Sequence, residues 1–168
     1  MIVLLATLAL VAGTGSPSSG EVLPTVHAAI TLHLHASADR AFPMFDPVNE
    51  SRWDPDWQPT LPGDARIASG LVFTTQDESE RAAWLLDRYD ASLHVIRYVT
   101  VHSATLTTID ITVEPIDADS SVATVRYTRT ALDSRGVANI RHFEQHFPTQ
   151  GPHWENAINA ALETDKGR

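Results

Sequence analysis

Cysteine is absent from all 168 residues of the chain. Disulfide bonds, thiolate nucleophiles, cysteine-ligated zinc and iron–sulfur clusters are therefore excluded. Basic residues are scarce as well, because 12 lysines and arginines stand against 21 aspartates and glutamates and leave a formal net charge of −9. Phosphate groups bind to basic surfaces, so this charge balance argues against a nucleic acid as the partner.

Several motifs of enzymes and nucleotide-binding proteins are also missing. The eight glycines are dispersed and form neither a dinucleotide-binding nor a P-loop spacing. No Gly-x-Ser-x-Gly segment is present, which removes that kind of serine hydrolase. The sequence points to no cofactor. With 43% hydrophobic and 20% charged residues, the composition is that of a folded domain of ordinary size.

The apolar run at residues 1–12 contains no charged side chain and is shorter than the roughly 20 residues that span a bilayer. It has the length of a signal-peptide core, and residues 13–20 would form a cleavage zone or tether. No lysine or arginine precedes the run, so export to the periplasm or exterior and a cytoplasmic location both stay open. We divide the chain into this segment at 1–20 and one domain at 21–168, whose mature form is not expected to insert stably into a membrane.

Alternating apolar residues predict β-strands through most of the domain. In the first strand Ile30, Leu32 and Leu34 share one face. Further strands are predicted at 70–75, 81–89, 93–101, 107–114 and around 123–127. Because short turns and no helices separate these strands, an antiparallel sheet is favoured over a parallel one.

Helices are predicted on either side of this run of strands. Ser37 is placed to cap a short helix that extends to Phe42, and Asp46 with Pro47 would begin a second one. A final helix is predicted to begin near Pro152, with an apolar stripe formed by Trp154, Ile158, Ala161 and Leu162.

The order of these elements, together with several short motifs, resembles the START-like (SRPBCC, Bet v 1-like) superfamily, and in particular small bacterial proteins described as polyketide cyclase/dehydrase-like. The resemblance covers about residues 26–164. The segments that carry it are ASADRAF at 36–42, FDP at 45–47, ESRWDPDW at 50–57, GLVFTT at 70–75, YD at 89–90, YTRTAL at 127–132 and WE at 154–155.

This resemblance implies an α+β helix-grip fold. A curved antiparallel sheet would wrap around a C-terminal helix, with two short helices after the first strand and an elongated cavity inside. Members of the superfamily bind lipids, hormones or polyketides, and some catalyse cyclisation or aromatisation. No catalytic motif is shared by the fold, so the fold alone does not assign an activity.

Aromatic side chains are the main candidates for contact with a ligand. Their rings would either fill the core or line an apolar cavity, where tyrosine and tryptophan also bring a hydrogen-bonding group. The candidates are Trp53, Trp57, Phe73, Trp84, Tyr98 and Tyr127.

Arg129 completes the predicted ligand-binding set. Strict alternation from Val125 and Tyr127 places its side chain on the inward face of the sheet. A buried arginine requires a counter-charge, because an unpaired charge in the interior is costly. Three explanations stay open: a ligand group, an acidic partner such as Asp54 or Asp56, or a strand end that is open to solvent.

Histidine pairs offer a weaker hypothesis. His142 and His146 are spaced i, i+4, which places two imidazoles on one face of a helix, and His33 and His35 share a strand face. Neither pair has a third ligand fixed by spacing, so we predict no metal site and no catalytic residue.

The function predicted is the binding of a small hydrophobic or amphipathic molecule, lipid-like or polyketide-like, in an internal cavity. Two alternatives remain. One is a cyclase or dehydratase that uses the same cavity, and the other is a structural or interaction domain with a filled core. The sequence does not indicate an oligomeric state.

A chain that begins at Glu21 is expected to unfold at the same temperature as the full chain, because residues 1–20 have no place in the implied architecture. Thermal unfolding of the two forms measures this. A midpoint lower by more than a few degrees in the shorter chain would show that the segment packs on the domain, and would also remove the signal-peptide interpretation.

Overall fold

Seven strands form one antiparallel sheet in the computed structural model, which describes residues 22–76 and 80–166. The expectations for residues 1–20 lie outside this range. The strands are β1 (Thr25–Leu34), β2 (Pro59–Thr60), β3 (Leu71–Gln76), β4 (Arg81–Asp90), β5 (Val95–His102), β6 (Thr105–Pro115) and β7 (Ser121–Ala131). Their spatial order is β1-β7-β6-β5-β4-β3-β2, so the predicted meander is confirmed, with the first strand added beside the last.

The two short helical segments expected after β1 are both present. Helix α1 (Ala38–Ala41) tightens into a 3₁₀ turn at Phe42–Phe45, and a second 3₁₀ turn follows at Glu50–Arg52. The prediction that Asp46 and Pro47 begin this second helix is wrong, because it starts at Glu50. The Oδ1 atom of Asp46 instead accepts hydrogen bonds from the backbone N–H groups of Val48 and Asn49, both at 2.8 Å, and so stabilises the turn before Glu50.

The C-terminal helical region is longer than predicted. Helix α2 (Ser134–His146) runs through a 3₁₀ turn at Phe147–Thr149 into α3 (Gln150–Lys166), whereas the sequence analysis placed a single helix from about Pro152. Helix α2 was missed, although Asp133 caps it by accepting hydrogen bonds from the N–H groups of Arg135 and Gly136. Pro148 in the 3₁₀ turn separates α2 from α3, because proline interrupts a helix except in its first turn. Pro152 lies in the first turn of α3, where proline is tolerated.

The first turn of α2 lies directly against the turn between β5 and β6. A side chain at Gly136 would collide with the backbone carbonyl of Ala104, so this position has no room for a Cβ atom. One turn further along, the Asn139 amide donates to the carbonyl of Ser103. The start of α2 is therefore fixed to the sheet by backbone contact.

The concave face of the sheet is apolar and α3 covers part of it. The inward-facing residues Ile30, Leu32 and Leu34 are buried as predicted, and so are Ile158 and Leu162 of α3. Trp154 is only partly buried, because its ring faces a cavity between the helix and the sheet. The helix-grip fold implied by the resemblance is confirmed.

Two polar side chains of α3 bond to the exposed edge of β1. Asn159 accepts from the N–H of His35 at 2.8 Å and donates to the carbonyl of His33 at 2.9 Å. Glu155 accepts from the N–H of His33 at 2.7 Å. β1 is an edge strand that pairs with β7 alone, so these bonds satisfy backbone groups that the sheet leaves unpaired.

Replacing Asn159 with alanine is expected to lower the free energy of unfolding by about 1–3 kcal/mol, because two backbone groups of β1 lose their partner in a buried position. Asn156→Ala, on the exposed side of the same helix, is the matched control and should change stability by about 0.5 kcal/mol or less. Denaturant unfolding measures both. Equal effects of the two substitutions would show that the edge contact contributes nothing.

Candidate functional site

Two neighbouring spaces lie between the concave face of the sheet and the helices. The inner cavity has a volume of about 50 Å³ and is lined by Phe45, Glu50, Trp53, Trp57, Trp84, Tyr98, Ile109, Ile111, Val125, Tyr127 and Trp154. The outer cleft is wider and more open, with a volume of about 280 Å³, and is lined by Trp84, Thr100, His102, Thr107, Ile109, Tyr127, Arg129, Phe143, Phe147 and Trp154. Four lining residues belong to both: Trp84, Ile109, Tyr127 and Trp154.

The predicted aromatic set converges on these spaces, with one exception. Trp53, Trp57, Trp84, Tyr98 and Tyr127 all line the inner cavity. Phe73 lines neither space among the described residues. It is almost fully buried and stacks on Trp84, its partner on the neighbouring strand, with ring centroids 6.0 Å apart, so it supports that ring from the side.

Three of the four tryptophans that line the cavity offer it no hydrogen-bond donor, contrary to what the sequence suggested. The indole N–H groups of Trp53, Trp57 and Trp84 donate to the protein itself, and so does the Tyr98 hydroxyl. The pairs are Trp53 to the Met44 carbonyl at 2.7 Å, Trp57 to the Pro47 carbonyl at 2.9 Å, Trp84 to the Thr75 hydroxyl at 2.9 Å and Tyr98 to the Phe45 carbonyl at 2.8 Å. These bonds fix the rings, and the surface they present is apolar.

Arg129 faces the outer cleft from the inward side of β7, as predicted. Its Nη2 donates to the Thr105 hydroxyl at 3.1 Å, and its guanidinium lies over the ring of Phe143, 4.7 Å from the centroid. The buried Nε has no hydrogen-bond partner. Desolvation lowers the pKa of Arg129, although an arginine stays charged at physiological pH.

No carboxylate in the described part of the chain pairs with Arg129. In particular, the suggested ion pair with Asp54 or Asp56 is not formed. The guanidinium is therefore a partly desolvated cation whose described contacts are the Thr105 hydroxyl and the ring of Phe143. Such a group favours an anion, because charge-assisted hydrogen bonds are stronger in an apolar surrounding.

Glu50 is the site residue that the sequence analysis did not single out. It lines the inner cavity, and no described residue forms a hydrogen bond with its carboxyl group. Burial raises the pKa of Glu50 well above its usual range, and the nearby charges of Asp54 and Asp46 add to this effect. One sequence signal could have identified Glu50. It stands three residues before Trp53 in an aromatic segment, a spacing that places both side chains on one side of a helical turn.

Tyr127 connects the two spaces. Its ring packs on Phe147 at 4.6 Å and on Phe143 at 5.3 Å, while its hydroxyl makes no hydrogen bond to a described residue. Burial raises the pKa of Tyr127, the carboxyl of Glu50 raises it further, and Arg129 opposes both effects. The hydroxyl therefore stays protonated and remains available to a ligand.

The histidine pairs lie apart from these spaces. The rings of His142 and His146 stack at 4.0 Å on an exposed face of α2, and His33 and His35 are also exposed. Within residues 22–76 and 80–166 no three histidine or acidic side chains are grouped as metal ligands would be. None of the helices described there is long and apolar enough to cross a membrane.

Comparison with known proteins was made on sequence and on structure. No family model and no curated protein matches the sequence. A point mutant of norcoclaurine synthase from Thalictrum flavum, in complex with a transition-state analogue, superposes with a TM-score of 0.63 at 16% identity, covering 87% of this chain and 99% of that one. The Zhui aromatase/cyclase from Streptomyces sp. R1128 superposes with a TM-score of 0.62 at 14% identity, covering 83% of this chain and 94% of that one. Ara h 8.0201 superposes with a TM-score of 0.62 at 11% identity, covering 84% of this chain and 99% of that one.

At these identities the likeness establishes the fold and nothing finer. The likeness agrees with the helix-grip architecture that the resemblance implies. Two of the three are named as a synthase or a cyclase. The chemistry of this chain has to be argued from its own residues.

Replacing Glu50 with glutamine is expected to stabilise the protein at neutral pH and to have little effect near pH 4. In the folded chain the raised pKa keeps the carboxyl protonated after an unfolded glutamate has ionised, at a pKa of about 4.3. The stability of the natural chain therefore falls as pH rises from that value through the folded pKa, and glutamine removes this loss.

Thermal unfolding between pH 4 and pH 8 measures the difference. Glu144→Gln, at an exposed position of α2, is the control and should follow the natural chain throughout. A Glu50→Gln variant that gains no stability relative to the natural chain as pH rises would contradict the desolvated placement of Glu50.

Proposed function

We propose that this chain binds a small amphipathic carboxylic acid, with the acid group at Arg129 and the apolar body between the aromatic rings. The observation that supports this most directly is the state of Arg129. Its guanidinium faces the outer cleft, has no acidic partner among the described residues, and carries a buried Nε without a hydrogen bond. A bound carboxylate would supply the counter-charge and accept two parallel hydrogen bonds from the planar guanidinium.

The remainder of the cleft suits an apolar body. Phe143, Phe147 and Trp154 form the helical side, and Trp84 and Ile109 form the sheet side. The outer cleft of about 280 Å³ lies just below the range of roughly 300–1,000 Å³ that is typical of small-molecule sites. This volume favours ligands with roughly ten non-hydrogen atoms, such as medium-chain or aromatic acids, over membrane lipids with two full acyl chains.

An enzyme of the cyclase or dehydratase kind is the second candidate function. The observation that favours it is the placement of Glu50 and Tyr127, two titratable groups that form no side-chain hydrogen bond with a described residue, in one apolar cavity. Groups with perturbed pKa values in a cavity are frequent in active sites. The third possibility, a structural or interaction domain, would leave both spaces without a ligand.

Arg129→Leu is the variant that tests the binding proposal, because leucine keeps an apolar stem and removes the charged fork. Affinity for acids of six to twelve carbons should fall by about 1.5–3 kcal/mol, which is the range for hydrogen bonds to charged groups and corresponds to roughly 10- to 150-fold in Kd. The matching alcohols should bind equally well or better. Fluorescence competition with an environment-sensitive probe measures both series.

Arg126→Leu is the matched control, since Arg126 lies on the same strand but is exposed on the opposite face. It should leave both series unchanged. Equal losses for acids and alcohols in Arg129→Leu would assign Arg129 a structural role. Absence of binding by the natural chain would overturn the proposal in favour of an interaction domain, and native mass spectrometry of the purified protein would show whether a small molecule is already bound.

A further inference from the structure

We propose that Glu50 and Tyr127 form a second polar subsite in the inner cavity, which accepts a carbonyl oxygen of the ligand. This inference rests on the proposed function and narrows the ligand class to oxo acids, with the carboxylate in the outer cleft and the carbonyl in the inner cavity. The two residues stand out in the inner lining because most other donor groups there, the indoles of Trp53, Trp57 and Trp84 and the Tyr98 hydroxyl, are bonded to the protein. The indole of Trp154 is the remaining neutral donor among the described lining residues.

The two side chains are suited to donate hydrogen bonds. Glu50 lines the apolar inner cavity and its carboxyl group forms no hydrogen bond with a described residue; desolvation there raises its pKa and so favours the protonated form, which can donate. The Tyr127 hydroxyl is protonated and forms no hydrogen bond in the described part of the chain. A carbonyl oxygen has two lone pairs, so it can accept one hydrogen bond from each group.

A negatively charged ligand group does not fit this subsite. Asp46 and Asp54 lie close enough to Glu50 to raise its pKa, and they would repel a second anion there. Asp46 is itself engaged, since it accepts three hydrogen bonds from Val48 and Asn49. The inner end of the ligand should therefore be neutral and should accept hydrogen bonds, while Arg129 takes the charged end.

The geometry of β7 gives the spacing between the two ends. Tyr127 and Arg129 are two residues apart on the same face of the strand, which is about 7 Å along the backbone. Tyr127 lines both spaces, so a ligand that extends from Arg129 into the inner cavity must pass it. The carbonyl is then separated from the carboxylate by several carbon atoms, and a 2-oxo acid would place it in the wrong space.

A series of acids of equal length tests this arrangement. The probes are octanoic acid and octanoic acids that carry an oxo group at position 2, 4, 5, 6 or 7, titrated by isothermal calorimetry into the full chain. One or more of the 4- to 7-oxo acids should bind at least roughly 5-fold more tightly than octanoic acid, by the free energy of one or two neutral hydrogen bonds. The 2-oxo acid should show no such gain.

The Kd of octanoic acid divided by the Kd of the best oxo acid is the quantity that reports on Glu50. In Glu50→Leu this ratio should fall to near one, and in Tyr127→Phe it should fall part of the way. Glu50→Gln, whose amide also donates, should retain part of the preference. Glu144→Leu, at an exposed position of α2, should leave the ratio unchanged.

The outcomes separate the two proposals. If octanoic acid binds in a manner that depends on Arg129 but no oxo acid binds more tightly, the subsite is wrong and the proposed function stands. A preference that persists in Glu50→Leu, or that is equal at every oxo position, also overturns the subsite. If octanoic acid itself shows no dependence on Arg129, the proposed function fails first. Should Glu50→Leu not fold, as judged by thermal unfolding, Tyr127→Phe and Glu50→Gln still decide the question.

Discussion

Attachment of the last helix to the free edge of β1 is the constraint on which the rest of this structure depends. A curved sheet with one apolar face must be covered, and α3 buries Ile158 and Leu162 against that face. Apolar burial is not directional, so it fixes neither the position nor the angle of a helix on a sheet. The hydrogen bonds from Glu155 and Asn159 to the backbone at the end of β1 fix both for α3, because hydrogen bonds tolerate little change in geometry.

Helices α2 and α3 do not fill the concave face, and the space that remains has an uneven polarity. The outer cleft contains Arg129, a cation over the ring of Phe143, and the inner cavity contains Glu50, an acid whose pKa is raised by burial. Tyr127 lies between them and belongs to both. A ligand that satisfies the site would therefore be charged at one end, apolar in the middle and neutral but polar at the other end.

Periodicity was sufficient to predict six of the seven strands, the final helix and the inward position of Arg129, because alternation depends on local geometry alone. The two-residue strand β2 is too short to show alternation and was missed. Long-range contacts were not accessible in the same way. The sequence did not show that Phe73 is buried beside Trp84, that three indole N–H groups bond to other protein atoms, or that Glu50 faces a cavity formed by distant strands. Helix α2 could have been found, since Val137, Ile140, Phe143 and Phe147 recur every three or four residues after the cap at Asp133.

Gly136 lies outside the cleft, but its close approach to the Ala104 carbonyl means that no other residue is tolerated at this position without a shift of the backbone. Any side chain at Gly136 would push the first turn of α2 away from the sheet. Phe143 lies two turns further along the same helix and covers the guanidinium of Arg129. A methyl group added at residue 136 would therefore disturb the helix that places Phe143 over Arg129, although Gly136 lines neither of the two spaces.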